Sequence, residues 1–132
     1  MKRLLLDTNI LLWSVAFLDR LDDQTINVLE AADTQVFFSA ASIWEIAIKA
    51  SLGRGDFDVE PEAIAEEARN AGFVELPIRS EAASLVGRLP LHHKDPFDRI
   101  LIAQAMATTI KLYTTDALLA RYSELVTVVP RA

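Results

Sequence analysis

The stretch Leu4-Leu5-Leu6-Asp7-Thr8-Asn9 contains the pattern that repeats through the chain: a short apolar run that ends on polar residues. A run of this length, bounded by polar residues, is typical of a buried strand. Similar runs follow at 36–38, 73–76, 110–114 and 126–129. The sequence therefore predicts about five short strands, with Asp7 placed where the first one ends.

Longer amphipathic segments separate these strands. Apolar residues at helical spacing predict helices at 22–32, 41–52, 61–71, 79–89 and about 116–122, and one that starts at Pro96. Strands that alternate with helices indicate an α/β fold with a central, mainly parallel sheet flanked by helices. A chain of 132 residues fits one domain, 1–132.

The composition limits the classes of site and of cellular location. There is no cysteine, so disulfides and thiolate metal sites are excluded. The apolar run at the N-terminus stops at Asp7, which is too short for an export signal. No stretch approaches the roughly 20 apolar residues of a membrane span. We expect a cytoplasmic protein that does not enter a membrane.

Four acids, Asp7, Glu45, Asp98 and Asp116, lie where a strand ends or a helix begins. In a parallel sheet the carboxyl ends of the strands share one edge, where ligands bind. Carboxylates that converge there repel one another unless a cation neutralises them. Oxygen ligands without cysteine select Mg²⁺ or Mn²⁺, which activate water for attack on a phosphodiester. The pattern predicts a metal-dependent nuclease.

Helix capping is the simpler alternative for each acid taken singly. Asp is a favoured N-cap, and acids in a first helical turn are stabilised by the helix dipole. Ser42 with Glu45 matches a capping box, and Asp95 fits an N-cap of the helix that starts at Pro96. Capping gives no reason for the four acids to converge, because Ser, Thr or Asn would serve equally well.

The ordered motifs resemble a PIN domain, and among PIN domains the VapC toxins of bacterial toxin–antitoxin pairs. The resemblance rests on Leu5-Leu6-Asp7-Thr8-Asn9, Ser39 with Trp44-Glu45-Ile46, Asp95-Pro96-Phe97-Asp98-Arg99 with Ile102-Ala103-Gln104-Ala105, and Thr114-Thr115-Asp116. It implies an endoribonuclease that depends on Mg²⁺ or Mn²⁺, an RNA substrate, a VapB-like antitoxin and a homodimer.

The resemblance also assigns residues. It implies that Asp7, Glu45, Asp98 and Asp116 are the catalytic, metal-binding acids. The supporting residues that it implies are Thr8, Asn9, Thr114 and, less directly, Asp95.

The net charge of −6 counts against a nucleic-acid partner, since such proteins usually present a basic surface. RNA would need a local patch, for which the candidates are Lys49, Arg54, Lys94 and Arg99. The alternatives are a solvated face for all four, or a carboxylate partner for Arg99.

Other conspicuous residues are predicted to be structural. The His92-His93 pair could form a metal site or an acid–base, but adjacent side chains point in divergent directions, so an exposed loop is the expectation. Trp13 and Trp44 lie in apolar helical patterns and are expected in the core or in a dimer contact.

Two other functions compete with the nuclease. A receiver-like phosphoacceptor domain needs a lysine after its last strand, whereas this chain ends Pro130-Arg131-Ala132. A non-catalytic PIN scaffold that binds RNA or protein would tolerate the loss of any one acid, whereas the nuclease would not.

Overall fold

A five-stranded sheet, parallel throughout, forms the centre of the chain. The computed structural model describes residues 1–53 and 58–130. The strands are β1 (Lys2–Leu6), β2 (Thr34–Ser39), β3 (Val74–Leu76), β4 (Lys111–Thr114) and β5 (Val126–Val128). Their order across the sheet is β3-β2-β1-β4-β5, and each neighbouring pair is parallel. The predicted α/β fold with a mainly parallel sheet is therefore confirmed.

Helices cover both faces of this sheet. In the described residues they are α1 (Thr8–Ala16), α2 (Asp23–Glu30), α3 (Ala40–Ser51), α4 (Pro61–Asn70), α5 (Ser80–Leu85) and α6 (Pro96–Thr108). Leu6 packs into a core with α1, α3 and α4, while its neighbour Leu5 packs into a second core with α5 and α6. The strand is buried on both faces, which explains why its sequence is a continuous apolar run rather than an alternating one.

Helix α1 is absent from the helices predicted by spacing. Ile10, Leu11 and Leu12 are fully buried, and Trp13 is only 6% exposed. These four consecutive residues complete a full turn that is buried on every side, so this part of the helix has no polar face and its sequence shows no helical periodicity. Trp13 lies in the core, as expected.

The start of α3 differs from the predicted capping box. Ser39, the last residue of β2, is the N-cap, and its Oγ accepts a hydrogen bond from the Ala41 amide at 3.0 Å. Ser42 and Glu45 therefore lie inside the helix, and the capping explanation for Glu45 is wrong. Glu45 is free to serve another role.

Two predicted helices are shorter or tighter than expected. The 79–89 segment divides into α5 and a 3₁₀ turn at Val86–Arg88, and the 116–122 segment is a 3₁₀ turn at Ala117–Arg121. The helix predicted to start at Pro96 is confirmed as α6. It ends at the C-cap Thr109, which has the left-handed conformation (φ 55°). In the described part of the chain, no helix is long and apolar enough to cross a membrane.

Candidate active site

Asp7 lies at the carboxyl end of the central strand β1 and is 5% exposed. Its Oδ1 accepts a hydrogen bond from the Ile10 amide at 2.8 Å and so caps α1. Its Oδ2 accepts a hydrogen bond from Thr114 Oγ1 at 2.6 Å, at the end of the neighbouring strand β4. The carboxylate is therefore fixed at both oxygens at the edge of the sheet.

Glu45 reaches the same edge from α3 and is also 5% exposed. Its Oε1 accepts a hydrogen bond from Thr8 Oγ1 at 2.6 Å, and the Thr8 hydroxyl lies 3.0 Å from Ser42 Oγ. Its Oε2 forms an ion pair with Lys49, one turn later on the helix. Thr8, the residue after Asp7, thus ties the first two acids together.

Asp98 and Asp116 form the other half of the cluster. Asp95 caps α6 by accepting hydrogen bonds at Oδ1 from the amides of Phe97 (2.8 Å) and Asp98 (3.4 Å). Asp116 Oδ1 caps the 3₁₀ turn through the Leu118 amide at 2.9 Å.

A histidine joins these two acids. His93 Nε2 lies 2.7 Å from Asp116 Oδ2 and 3.4 Å from Asp98 Oδ2. Potential ligand atoms of His93, Asp98 and Asp116 all lie within 4.8 Å of one another.

The electrostatics link the two halves. The pKa of Asp98 is raised to about 7, chiefly by burial and also by the charges of Asp95, Asp7 and Glu45, against a lowering effect of His93. Burial also raises the pKa of Asp7 to about 6, against the lowering effect of its hydrogen bonds to Thr114 and to backbone amides. In the folded chain the charged forms of these carboxylates are therefore disfavoured by burial and by one another. A divalent cation bound between them would stabilise the charged forms.

The donor set fits such a cation. Carboxylate oxygens are the ligands that Mg²⁺ and Mn²⁺ prefer, and no thiolate is available in this chain. The structure brings Asp7, Glu45, Asp98 and Asp116 to one edge of the sheet. Their catalytic and metal-binding roles stay predictions.

The predicted supporting residues divide into two groups. Thr8, Thr114 and Asp95 contact the acids or cap the helix that carries one of them. Asn9 is half-buried near the start of α1, and its supporting role stays a prediction.

The three predicted RNA-binding residues that the structure describes, Lys49, Lys94 and Arg99, have different surroundings. Lys49 pairs with Glu45 inside the cluster, whereas Lys94 is exposed on the loop before α6. The Arg99 guanidinium donates to the Tyr122 hydroxyl and to the carbonyls of Val86, Leu89, Pro90 and His93. Arg99 therefore holds the loop before α6 rather than one of the four carboxylates of the site. Arg54 lies outside the described residues.

Sequence reasoning favoured an exposed loop for His93 over a metal or acid–base site. The two histidines diverge as expected: the His92 ring packs on Tyr122 with centroids 5.0 Å apart, while His93 points into the acidic cluster with only 17% of its side chain exposed. The expectation of an exposed loop is wrong for His93. The available signal was its position two residues before the helix cap Asp95.

The core interpretation is wrong for Trp44. Its side chain is 58% exposed and packs edge-to-face on Phe97, with centroids 5.0 Å apart. The alternative of a dimer contact stays a prediction.

Comparisons with known proteins agree with this architecture. Residues 4–125 match the sequence family described as PIN domain. No curated protein sequence matches the chain. Among solved structures, VapBC2 from Rickettsia felis bound to a DNA fragment from their promoter is similar, with a TM-score of 0.71 and 15% identity over 96% of each chain.

Two further solved structures are also similar. FitAcB from Neisseria gonorrhoeae has a TM-score of 0.57 and 19% identity, over 93% of this chain and 95% of that one. A domain of a functionally unknown protein from Methanocaldococcus jannaschii has a TM-score of 0.62 and 16% identity, over 100% of this chain and 94% of that one. At these identities the likeness shows the fold. Because the family match extends over nearly the whole chain, this protein belongs to the PIN domain family.

Proposed function

We propose that this chain is a divalent-metal-dependent endoribonuclease, the toxin of a VapBC-type toxin–antitoxin pair. The observation that carries the proposal is the convergence of Asp7, Glu45, Asp98 and Asp116 at the carboxyl edge of a parallel sheet. PIN domains are generally nucleases, and the acidic cluster keeps all four carboxylates. A scaffold that only binds RNA or protein has no need for buried carboxylates whose pKa values are raised by burial.

Asp7 and Asp98 are the residues that we assign as direct ligands of Mg²⁺ or Mn²⁺. Glu45 binds the metal or orients the attacking water, and Asp116 completes the cluster. Such an ion, when bound, activates water and stabilises the charge that develops on the phosphodiester. Thr114 and Thr8 hold the carboxylates of Asp7 and Glu45 in place, so the protein orders its ligands before RNA arrives.

In the proposed reaction, a water oxygen bonds to phosphorus while one phosphorus–oxygen ester bond breaks. The attacking water gives up one proton, and the leaving ribose oxygen takes one up. The four acids make the site strongly negative, so RNA approach depends on neutralisation of that charge. A net charge of −6 is therefore compatible with an RNA substrate, because part of it comes from acids that a bound cation would neutralise.

The partners are proposed from the relatives. The similar structures VapBC2 and FitAcB, and a structure of FitAB bound to an IR36 DNA fragment, support an antitoxin partner for this chain. A homodimer is supported by an apolar stripe on α3 and just beyond it. In this stripe Trp44, Ile48 and Leu52 are 58%, 38% and 59% exposed.

The test is cleavage of a broad panel of bacterial RNA with Mn²⁺ or Mg²⁺. The comparison is between the wild-type chain, Asp98→Asn and the control Glu81→Gln, an exposed acid on α5. We expect cleavage by the wild type and the control, and a loss of at least about 100-fold in Asp98→Asn, because a metal ligand is removed. Circular dichroism checks that each variant is folded.

Two results contradict the proposal in different ways. Cleavage by Asp98→Asn at the wild-type rate shows that the site is assigned wrongly. A folded wild-type protein that binds Mn²⁺ but leaves the whole RNA panel intact favours the non-catalytic scaffold.

A further inference from the structure

The imidazole of His93 is held at both ring nitrogens. Nδ1 accepts a hydrogen bond from the Asp95 amide at 3.0 Å, and Nε2 lies 2.7 Å from Asp116 Oδ2. The His93 amide in turn donates to the Tyr122 hydroxyl at 2.8 Å. Arg99 donates both to the His93 carbonyl and to the same hydroxyl. The loop is thus built to hold this ring in one orientation.

The contact at Nδ1 determines which nitrogen carries the hydrogen. A backbone amide can only donate, so Nδ1 must offer a lone pair to Asp95. In a neutral imidazole one nitrogen accepts and the other carries the hydrogen. The hydrogen of His93 is therefore on Nε2, where it faces the carboxylates of Asp116 and Asp98.

This tautomer conflicts with a role for His93 as a metal ligand. A ligand nitrogen needs a free lone pair, and Nε2 has none while Nδ1 accepts from Asp95. Proximity alone groups His93 with Asp98 and Asp116 as possible ligands, because their donor atoms lie within 4.8 Å of one another. The hydrogen-bond pattern separates the histidine from the two acids.

The same pattern fixes Asp116. Its Oδ1 accepts from the Leu118 amide at 2.9 Å, and its Oδ2 accepts from His93. Asp116 is 36% exposed at its side chain and follows the end of β4 on a 3₁₀ turn. Without the imidazole, Asp116 Oδ2 has no protein donor among the hydrogen bonds of the described residues.

We propose that His93 is a positioning residue of the acidic site: its Nε2–H holds Asp116 facing Asp98 and is not itself a metal ligand. The part of this inference that concerns metal affinity rests on the proposed function. The part that concerns the tautomer does not, because it belongs to the metal-free protein.

The first experiment is ¹⁵N nuclear magnetic resonance of the imidazoles in the metal-free full chain. His93→Gln assigns the signals, since only one other histidine, His92, remains. We expect a protonated Nε2 and an unprotonated Nδ1 for His93. A hydrogen on Nδ1 overturns the proposal, whatever the protein does to RNA.

The second experiment is calorimetric titration of Mn²⁺ into the wild type, His93→Gln, His93→Ala and the control His92→Ala. The glutamine amide can donate as Nε2–H does, so His93→Gln should bind Mn²⁺ nearly as the wild type does. His93→Ala should bind roughly 10-fold more weakly, the usual cost of losing a partner that orients a ligand. His92 packs on Tyr122 outside the cluster, and its variant should match the wild type.

The outcomes separate this inference from the proposed function. Unchanged affinity in His93→Ala, or equal weakening in both His93 variants, overturns the positioning role while metal binding stands. Nitrogen coupling from a bound imidazole in the electron spin-echo spectrum of the Mn²⁺ protein shows direct ligation and also overturns it. Absence of Mn²⁺ binding by the wild type overturns the metal-dependent function and the affinity part of the inference, while the tautomer is judged by the first experiment.

Discussion

Thr114 donates a hydrogen bond to Asp7 across the ends of two neighbouring central strands, at 2.6 Å between Oγ1 and Oδ2. The other oxygen of Asp7 caps α1. The two oxygens of Asp116 also have separate partners. Oδ1 accepts a hydrogen bond from the Leu118 amide, and Oδ2 contacts His93 Nε2. Capping and site formation are therefore not alternatives for these acids, because each function uses a different oxygen.

We predict that Thr114→Val weakens Mn²⁺ binding by about 10-fold. Valine matches the shape of the buried threonine but removes the donor that fixes Asp7 Oδ2. Because this hydrogen bond lowers the pKa of Asp7, the pKa of Asp7 in the variant should be higher than its wild-type value of about 6. Calorimetry measures the first effect and ¹³C resonance of the carboxyl the second.

Thr115→Val is the matched control for this variant. The backbone amide of Thr115 donates a hydrogen bond to Asp7, and a valine at this position keeps that amide. Equal weakening in both valine variants would mean that the Thr114 hydroxyl does not position the ligand.

The metal-free protein should lose stability as the pH rises from about 4 to about 7. Burial raises the folded-state pKa of Asp7 to about 6 and of Asp98 to about 7, above the ordinary value of 3.8. A raised carboxyl pKa means that the folded state binds protons more tightly than the unfolded state. The stability that each carboxyl contributes is complete below its pKa in the unfolded chain. It is lost as the pH rises through its pKa in the folded chain.

Urea unfolding with a chelator at several pH values measures this loss. Other groups also titrate, so the comparison is with the double variant Asp7→Asn, Asp98→Asn, which should show a smaller decline. Saturating Mg²⁺ should reverse the decline near pH 7, because the ion stabilises the charged carboxylates. A double variant with the wild-type pH dependence would refute the link to these two acids.

The fold was predictable wherever the sequence carries a periodic or bounded pattern. The strands at β1 and β4 follow from apolar runs that end on polar residues, and α6 follows from Pro96 and its cap Asp95. Helix α1 was not predictable by spacing, because its turn at 10–13 is buried on every side. The start of α3 was misread because Ser39 and Ser42 both precede apolar residues, and only the hydrogen bond identifies the cap.

The acids of the site were predictable because strand ends, and the early turns of helices near them, bring side chains to one edge of the sheet. His93 was not, since its role depends on which way a loop side chain turns, and that direction is set by distant partners. Arg99 and Tyr122 hold the loop from α6 and the turn after β4, and neither contact has a local sequence signal. The exposure of Trp44 was missed for a related reason: an apolar residue in a helix does not reveal what covers it.

We predict that Lys49→Met increases Mn²⁺ affinity by about fivefold. The ammonium pairs with Glu45 Oε2 and so competes with a cation for the same negative charge. A unit charge a few ångströms away in a solvated site is worth roughly 1 kcal/mol. Lys111→Met, at the opposite end of β4, is the control and should leave the affinity unchanged. Weaker Mn²⁺ binding in Lys49→Met would contradict the competition.

Arg99→Lys should lower the free energy of unfolding by about 2 kcal/mol, because hydrogen bonds from a charged donor to several carbonyls are lost. A lysine cannot reproduce the planar array that reaches Val86, Pro90 and Tyr122 together. Chemical denaturation measures the difference, with the exposed Arg88→Lys as the control. A change within about 0.5 kcal/mol, the range of ordinary surface substitutions, would show that the loop does not depend on Arg99.

The double variant Ile48→Ser, Leu52→Ser should separate the proposed homodimer into monomers. Both side chains lie beside Trp44 on the exposed apolar stripe, and burying such surface stabilises association by about 25 cal/mol per Å². Sedimentation equilibrium should give a dimer for the wild type and a monomer for the variant, with unchanged circular dichroism. Trp44 reports the same event, because burial in a dimer shifts its fluorescence to shorter wavelength.

Leu91→Ser is the control for this variant, since Leu91 is 71% exposed but lies on the loop before α6. It should remain a dimer, because the stripe on α3 is intact. A wild type that sediments as a monomer excludes the homodimer. A double variant that stays dimeric places the contact elsewhere on the surface, and Trp44 fluorescence should then be insensitive to dilution.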